Sequence, residues 1–252
     1  MRKGLTSTVA AHLLRKTYPA LLPRPANRRI IVTVTTLEQI AHLLRWEIKT
    51  EWRDRSAISS VFLYVAVTAT IVYLAITNFS AMTFNAVLWI VLFFGALVAS
   101  GRSFLREGGR RHLYYYQLAS PEALLASKWI YNTLIIWIVS GLSYGILTFF
   151  ARESYLFETG AFLAAIGLGG IGLSAVLTFV AAISARAGGN GTLMAILSLP
   201  LLTPLLYLLV NLGGNAFGLT SGQAGSIIIY LAALDLIGLA VGLVLFPFVW
   251  RD

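Results

Sequence analysis

The chain contains no cysteine, which excludes disulfides, thiolate metal sites and cysteine nucleophiles. Charge is scarce as well. Only 12% of the 252 residues are Asp, Glu, Lys or Arg, against about 25% in an ordinary soluble domain. Histidine is limited to His12, His42 and His112, too few for a histidine-rich metal site. Lysine occurs only as Lys3, Lys16, Lys49 and Lys128, and none follows the glycine-rich loop of a P-loop nucleotide site. HExxH and GxSxG are absent, and no cluster of histidines and carboxylates has a useful spacing. The chain therefore reads as a non-enzyme, and any ATP it depends on must be bound by another subunit.

Apolar sequence is what the chain has in quantity: 58% of it is hydrophobic and its mean hydropathy is +0.80. The formal net charge is +9. The cations lie at the N-terminus and between apolar runs, where they set membrane topology, so nucleic acid is not the expected partner. Six runs approach the roughly 20 residues that a bilayer requires: residues 58–79, 84–100, 129–150, 160–184, 193–210 and 227–250. The expected fold class is all-α, a polytopic membrane protein with six transmembrane helices.

Residues 1–34 are basic and carry Pro19, Pro23 and Pro25. No apolar core precedes His12, Arg15 and Lys16, which argues against a cleaved signal. The expectation is a disordered extension, with Val32 or Val34 as a candidate initiation codon that would make the extension a start-site artefact. Residues 35–55 form the first organised element. Thr35 and Glu38 fit a capping box. Leu37, Ile40, Leu44, Ile48 and Trp52 recur at helical spacing, with Arg45, Lys49 and Arg53 on a neighbouring stripe. This pattern predicts an amphipathic helix at the membrane interface, apolar face in the acyl boundary and cations near anionic lipid. The competing reading is a helix packed on another soluble domain, for which the sequence offers no candidate.

Cation placement predicts orientation. Arg45, Lys49, Arg53 and Arg55 precede the first run, and Arg102, Arg106, Arg110, Arg111 and Lys128 lie between the second and third. Arg186 follows the fourth run and Arg251 ends the sixth. The alternate connections carry only Arg152. By the positive-inside rule both termini are cytoplasmic. Within the spans, Ala161, Ala165, Gly169 and Gly170 suit close helix packing, inside one subunit in preference to between two. Pro200 and Pro204 should kink or break the fifth span, which would then line a pathway. Asp235 is an intramembrane carboxylate and so a functional candidate; a structural partner or a protonated state explains it equally well.

The stretch 101–128 interrupts the apolar sequence with Arg106, Glu107, Arg110 and Arg111, then Tyr114, Tyr115, Tyr116 and Gln117. Ser120, Pro121 and Glu122 follow, combining an N-cap serine, a first-position proline and a first-turn acid, which together predict a helix start. The predicted helix, residues 121–128, is short and runs towards or into the third span. Arginine and tyrosine are enriched at protein interfaces, so the segment suits docking of a soluble partner. The same residues also suit topology anchoring and an aromatic belt, and pattern alone does not decide.

LREGGRRHLYYYQLASPEALLASKWIYN resembles the segment after the second span in the haem exporter protein B family, the B subunit of the cytochrome c maturation (Ccm) system. The matching positions are Arg106-Glu107, Leu118-Ala119-Ser120-Pro121 and Lys128. Leu43-Leu44-Arg45-Trp46-Glu47 and the glycine- and proline-bearing region of the fourth and fifth spans match as well. The likeness runs from about Thr35 to the C-terminus, and residues 1–33 have no counterpart in the family.

The resemblance implies an ABC-2 type permease in a bacterial inner membrane. Two copies would pair with a separate ATPase subunit that supplies the energy, beside a haem-handling membrane subunit and a small accessory subunit. It implies that residues 120–128 are the coupling helix seated in the ATPase, and that haem is a substrate of the complex rather than a cofactor of this chain. No axial-ligand pair is present in the sequence. The same layout would serve an ABC-2 permease exporting a lipid, a polysaccharide or a drug, and a non-transporting scaffold is a third reading.

Overall fold

The computed structural model describes residues 35–54, 56–76, 80–105, 120–187 and 191–251. The basic extension, residues 1–34, and the cluster from Arg106 to Gln117 lie outside them. Seven helices follow one another, with no strand among the described residues: α1 (Thr36–Asp54), α2 (Ser56–Ala75), α3 (Ala81–Leu105), α4 (Pro121–Ala151), α5 (Thr159–Arg186), α6 (Gly191–Ala216) and α7 (Ala224–Arg251). Helices α3 to α7 are long and apolar enough to cross a membrane, and α2 is apolar over the shorter Ser59–Ala75.

Local chemistry starts α1 and α4. At α1 the Thr35 backbone N–H donates to Glu38 Oε2 at 3.0 Å, and the Glu38 N–H donates back to Thr35 Oγ1 at 3.4 Å. This reciprocal pair satisfies two of the donors that a helix start leaves open. At α4 the Ser120 hydroxyl accepts from the Ala123 N–H at 3.3 Å, with Pro121 in the first turn. The predicted short helix over 121–128 does not end at Lys128. It is the opening of a single helix of 31 residues, because no proline or glycine intervenes before the third span and the Lys128 charge is met inside the fold. At about 1.5 Å per residue this rod is about 46 Å long, some 16 Å more than a hydrocarbon core of about 30 Å.

Helix α5 is the central post. Its small side chains let three neighbours approach closely. A methyl group on Gly169 would strike Leu209 of α6, one on Gly170 the Trp137 indole of α4, and one on Gly172 both Asp235 of α7 and Leu205 of α6. Polar side chains fasten α4 to the same post. Asn132 donates to Thr178 Oγ1 at 2.8 Å, the Thr133 and Ser174 hydroxyls are 2.6 Å apart, and the Trp129 and Trp137 indoles donate to the Ile171 and Gly167 carbonyls. Inter-helix hydrogen bonds of this kind contribute about 1 kcal/mol each in a membrane.

Helix α6 differs from expectation in two respects. It is not broken: the helix is continuous through Pro200 and Pro204. The prolines are four residues apart and both exposed, while Ser198, Leu202, Leu205 and Leu209 on the opposite side are buried. The two lost donors therefore fall on one outer face, and packing on the inner face holds the helix together. It also runs on to Ala216, past the expected end at residue 210. Leu212, Gly213 and Asn215 are buried there, and Asn85 of α3 donates to the Val210 carbonyl at 2.9 Å while the Trp89 indole holds Asn85 Oδ1. Beyond it, Phe84, Tyr144, Tyr155, Phe162 and Phe217 form an aromatic cluster with neighbouring ring centroids 4.7–5.9 Å apart. The cluster ties together the connections that carry few charges.

Candidate functional site

The sequence singled out two regions, and the structure gives each of them surroundings. In the first, the opening of α4 lies alongside α1. The Ser120 N–H donates to Gln39 Oε1 at 3.1 Å. Two turns further along both helices, the Lys128 ammonium meets Glu47 Oε1 at 2.6 Å. Both pairs are separated by 81 residues in sequence, so α1 and the first two turns of α4 run parallel and in register. Lys128 is fully buried and the Glu47 side chain is 17% exposed. A buried ammonium is stable only with such a partner. Pro121 and Glu122 stand at the free end of this clasp, Glu122 exposed. Arg106, Glu107, Arg110, Arg111, Tyr114, Tyr115, Tyr116 and Gln117 belong to the stretch outside the described residues.

The clasp was not legible as a pair, although both its ends lay in segments that carry the family resemblance. The one local signal was that Gln39, Leu43 and Glu47 share a helix face at four-residue spacing. That face, with Ile40, Leu44, Thr50 and Glu51, is the one α1 turns inward. Leu37 and Ile48 of the predicted apolar stripe are exposed, as are Arg45, Lys49 and Arg53 beside them. The packed face is thus about a quarter turn from the centre of the apolar stripe.

The second region centres on Asp235, about three turns into α7. The residue is 4% exposed, and among the described residues neither carboxylate oxygen has a hydrogen-bond partner. It sits against Gly172 and Leu205 at the base of a cavity of about 210 Å3 bounded by α5, α6 and α7. Gly169 and Gly170 pack on α6 and α4 outside this cavity, and Pro200 and Pro204 lie on the outer face of α6. Gly169 and Gly170 thus stand at helix contacts, as their spacing suggested, while of the pathway candidates Asp235 lines the cavity and the two prolines do not. Among the described residues, no three His, Asp or Glu side chains are grouped to hold a metal ion.

An all-helical chain with five long apolar helices and a buried polar ladder between them defines a multi-pass integral membrane protein. The model of the CcmB protein family matches residues 38–250. The chain belongs to the CcmB family, the membrane permease of the cytochrome c maturation ABC transporter. No individual curated protein matches it.

Proposed function

We propose that this chain is the permease through which a separate ATPase subunit drives haem export, or the release of a haem-loaded periplasmic chaperone, for cytochrome c assembly. The observation that carries the reading is the clasp. In a family whose members work beside an ATPase, the opening of α4 is capped by Ser120 and bolted to α1 at Gln39 and Glu47. The length of α4 beyond the hydrocarbon thickness lets its first turns stand out of the membrane. A rigid, capped helix tip in that position suits a socket on a soluble subunit, and Arg106, Glu107, Arg110, Arg111, Tyr114, Tyr115, Tyr116 and Gln117, which precede it in the sequence, are assigned to the same docking segment.

In this reading α2 completes a six-span bundle with both termini cytoplasmic. Helix α1 lies on the inner surface of the bacterial inner membrane, with Leu37 and Ile48 towards lipid and Arg45, Lys49 and Arg53 towards headgroup phosphates. ATP stays on the partner subunit. Haem is cargo of the complex, which also holds a second copy of this chain, a haem-handling membrane subunit and a small accessory subunit.

The test is the double substitution Pro121→Ala with Glu122→Lys, which weakens the helix start. Expected is a several-fold loss of ATPase subunit recovered with the permease from membranes, at unchanged insertion, together with a fall in holocytochrome c. Wild-type recovery of the ATPase would sink the docking role. Reduced recovery of the ATPase with an unchanged level of holocytochrome c would point instead to an exporter of another substrate.

A further inference from the structure

The Asp235 cavity is independent of the docking site and asks for a ligand of its own. Its walls are Gly172, Ala175, Leu205, Ile237 and Val241 with their apolar neighbours, and among the described residues Asp235 is the one charged group that lines it. A carboxylate held among apolar side chains without a donor is costly, and α5 gives up a side chain at Gly172 to make room for it. The floor of the cavity is closed by Leu205 and Asp235, whereas Leu201 of α6 and Ile237 of α7 are 52% and 60% exposed. The mouth therefore lies between α6 and α7, on the outer surface of the bundle at mid-depth, where hydrocarbon is the neighbouring phase. An apolar cavity of about 150 Å3 holds a benzene molecule, so 210 Å3 has room for a ring and a short side arm.

We propose that this cleft binds a small lipophilic amine that enters from the bilayer. Its apolar body fills the space between α6 and α7, and its ammonium pairs with the Asp235 carboxylate. Charge complementarity selects the cation, the apolar side chains of the other described lining residues select an otherwise apolar molecule, and the lateral mouth selects entry from lipid.

The experiment uses the full chain in native membranes, with its complex assembled. The probe is a phenethylamine carrying a photoreactive diazirine on the ring, compared with the methyl ether of the same skeleton, which has no cation and no donor. Expected is labelling of α6 or α7 by the amine at about tenfold lower concentration than by the ether, since a charge-assisted bond discriminates by at least that factor. Asp235→Asn should bring the amine down to the level of the ether, and Asp235→Glu should retain most of the preference. Should Asp235→Asn fail to accumulate, Ile237→Trp at the exposed rim provides a second variant. It is expected to block labelling by both probes while leaving the fold intact. Equal labelling by amine and ether overturns the proposal, as does a preference that survives Asp235→Asn. Labelling that appears only after the subunits are separated also overturns it, because the cleft is then covered by a neighbouring protein.

Discussion

Lys128 is the residue that joins the opening of α4 to α1. Its ammonium is fully buried and its contact with Glu47 crosses from α4 to α1. Substitution by methionine keeps the length of the stem and removes the charge, leaving Glu47 without this donor. Breaking a buried pair from one side costs about 3–5 kcal/mol, and the partial exposure of Glu47 puts the loss at the low end of that range. Thermal unfolding of the detergent-solubilised protein should show a clearly lowered midpoint for Lys128→Met. The midpoint should recover in part when Glu47→Gln is added, because the second change removes the stranded carboxylate. An unchanged midpoint for the single variant would mean that the pair holds nothing. Other single residues divide by their reach. Thr35, Glu38 and the Ser120 hydroxyl act on groups within three positions, so their capping roles were legible in the sequence. Gln39, Glu47 and Lys128 act across 81 positions, and no local pattern names the partner.

Among the elements, α5 carries most of the packing and carries it through absent side chains. Gly170→Ala sets a methyl group against the Trp137 indole. Overpacking of a close helix contact costs about 1–3 kcal/mol and should also disturb the Trp137 bond to the Gly167 carbonyl, visible as a shift in tryptophan fluorescence together with a lower unfolding midpoint. Gly141→Ala, on an open face of α4 with nothing within 4 Å, is the control and should leave both unchanged. The small-residue spacing of α5 was readable as a packing signal, and the apolar runs located every long helix, because hydrophobic length is what a membrane demands of sequence. Of the kink or break expected in α6, the break does not occur, for a physical reason. Two prolines argue locally for a break, and the burial of Ser198, Leu202, Leu205 and Leu209 on the side away from them is a tertiary fact. Its extension to Ala216 likewise depends on Asn85 and Trp89 from another helix. Whether the 121–128 helix stops short of the third span or runs into it was left open by the sequence, because the charge of Lys128 marks a membrane boundary only until a buried partner is known.

For the molecule as a whole, the lack of cysteine makes any introduced thiol unique. A thiol at Ser221, exposed beyond α6, should react with a membrane-impermeant maleimide added to cells with a permeable outer membrane. A thiol at Glu122 should react only after the inner membrane is opened. The reverse pattern would invert the proposed orientation. The unbroken course of α4 also has a mechanical meaning. The rod is pinned to α5 near Asn132 and Thr133, about 18 Å from Pro121, and Tyr144 lies about 17 Å beyond the pin. Spin labels at Phe149→Cys and Ser221→Cys should therefore change separation when ATP is supplied to the assembled complex, and a fixed separation with active turnover would rule the movement out. Held to α5 over the two turns from Trp129 to Trp137, with arms of nearly equal length on either side, α4 is in the proposed mechanism a lever: a push at its capped tip would emerge among the aromatic rings at the other end with similar amplitude and opposite direction.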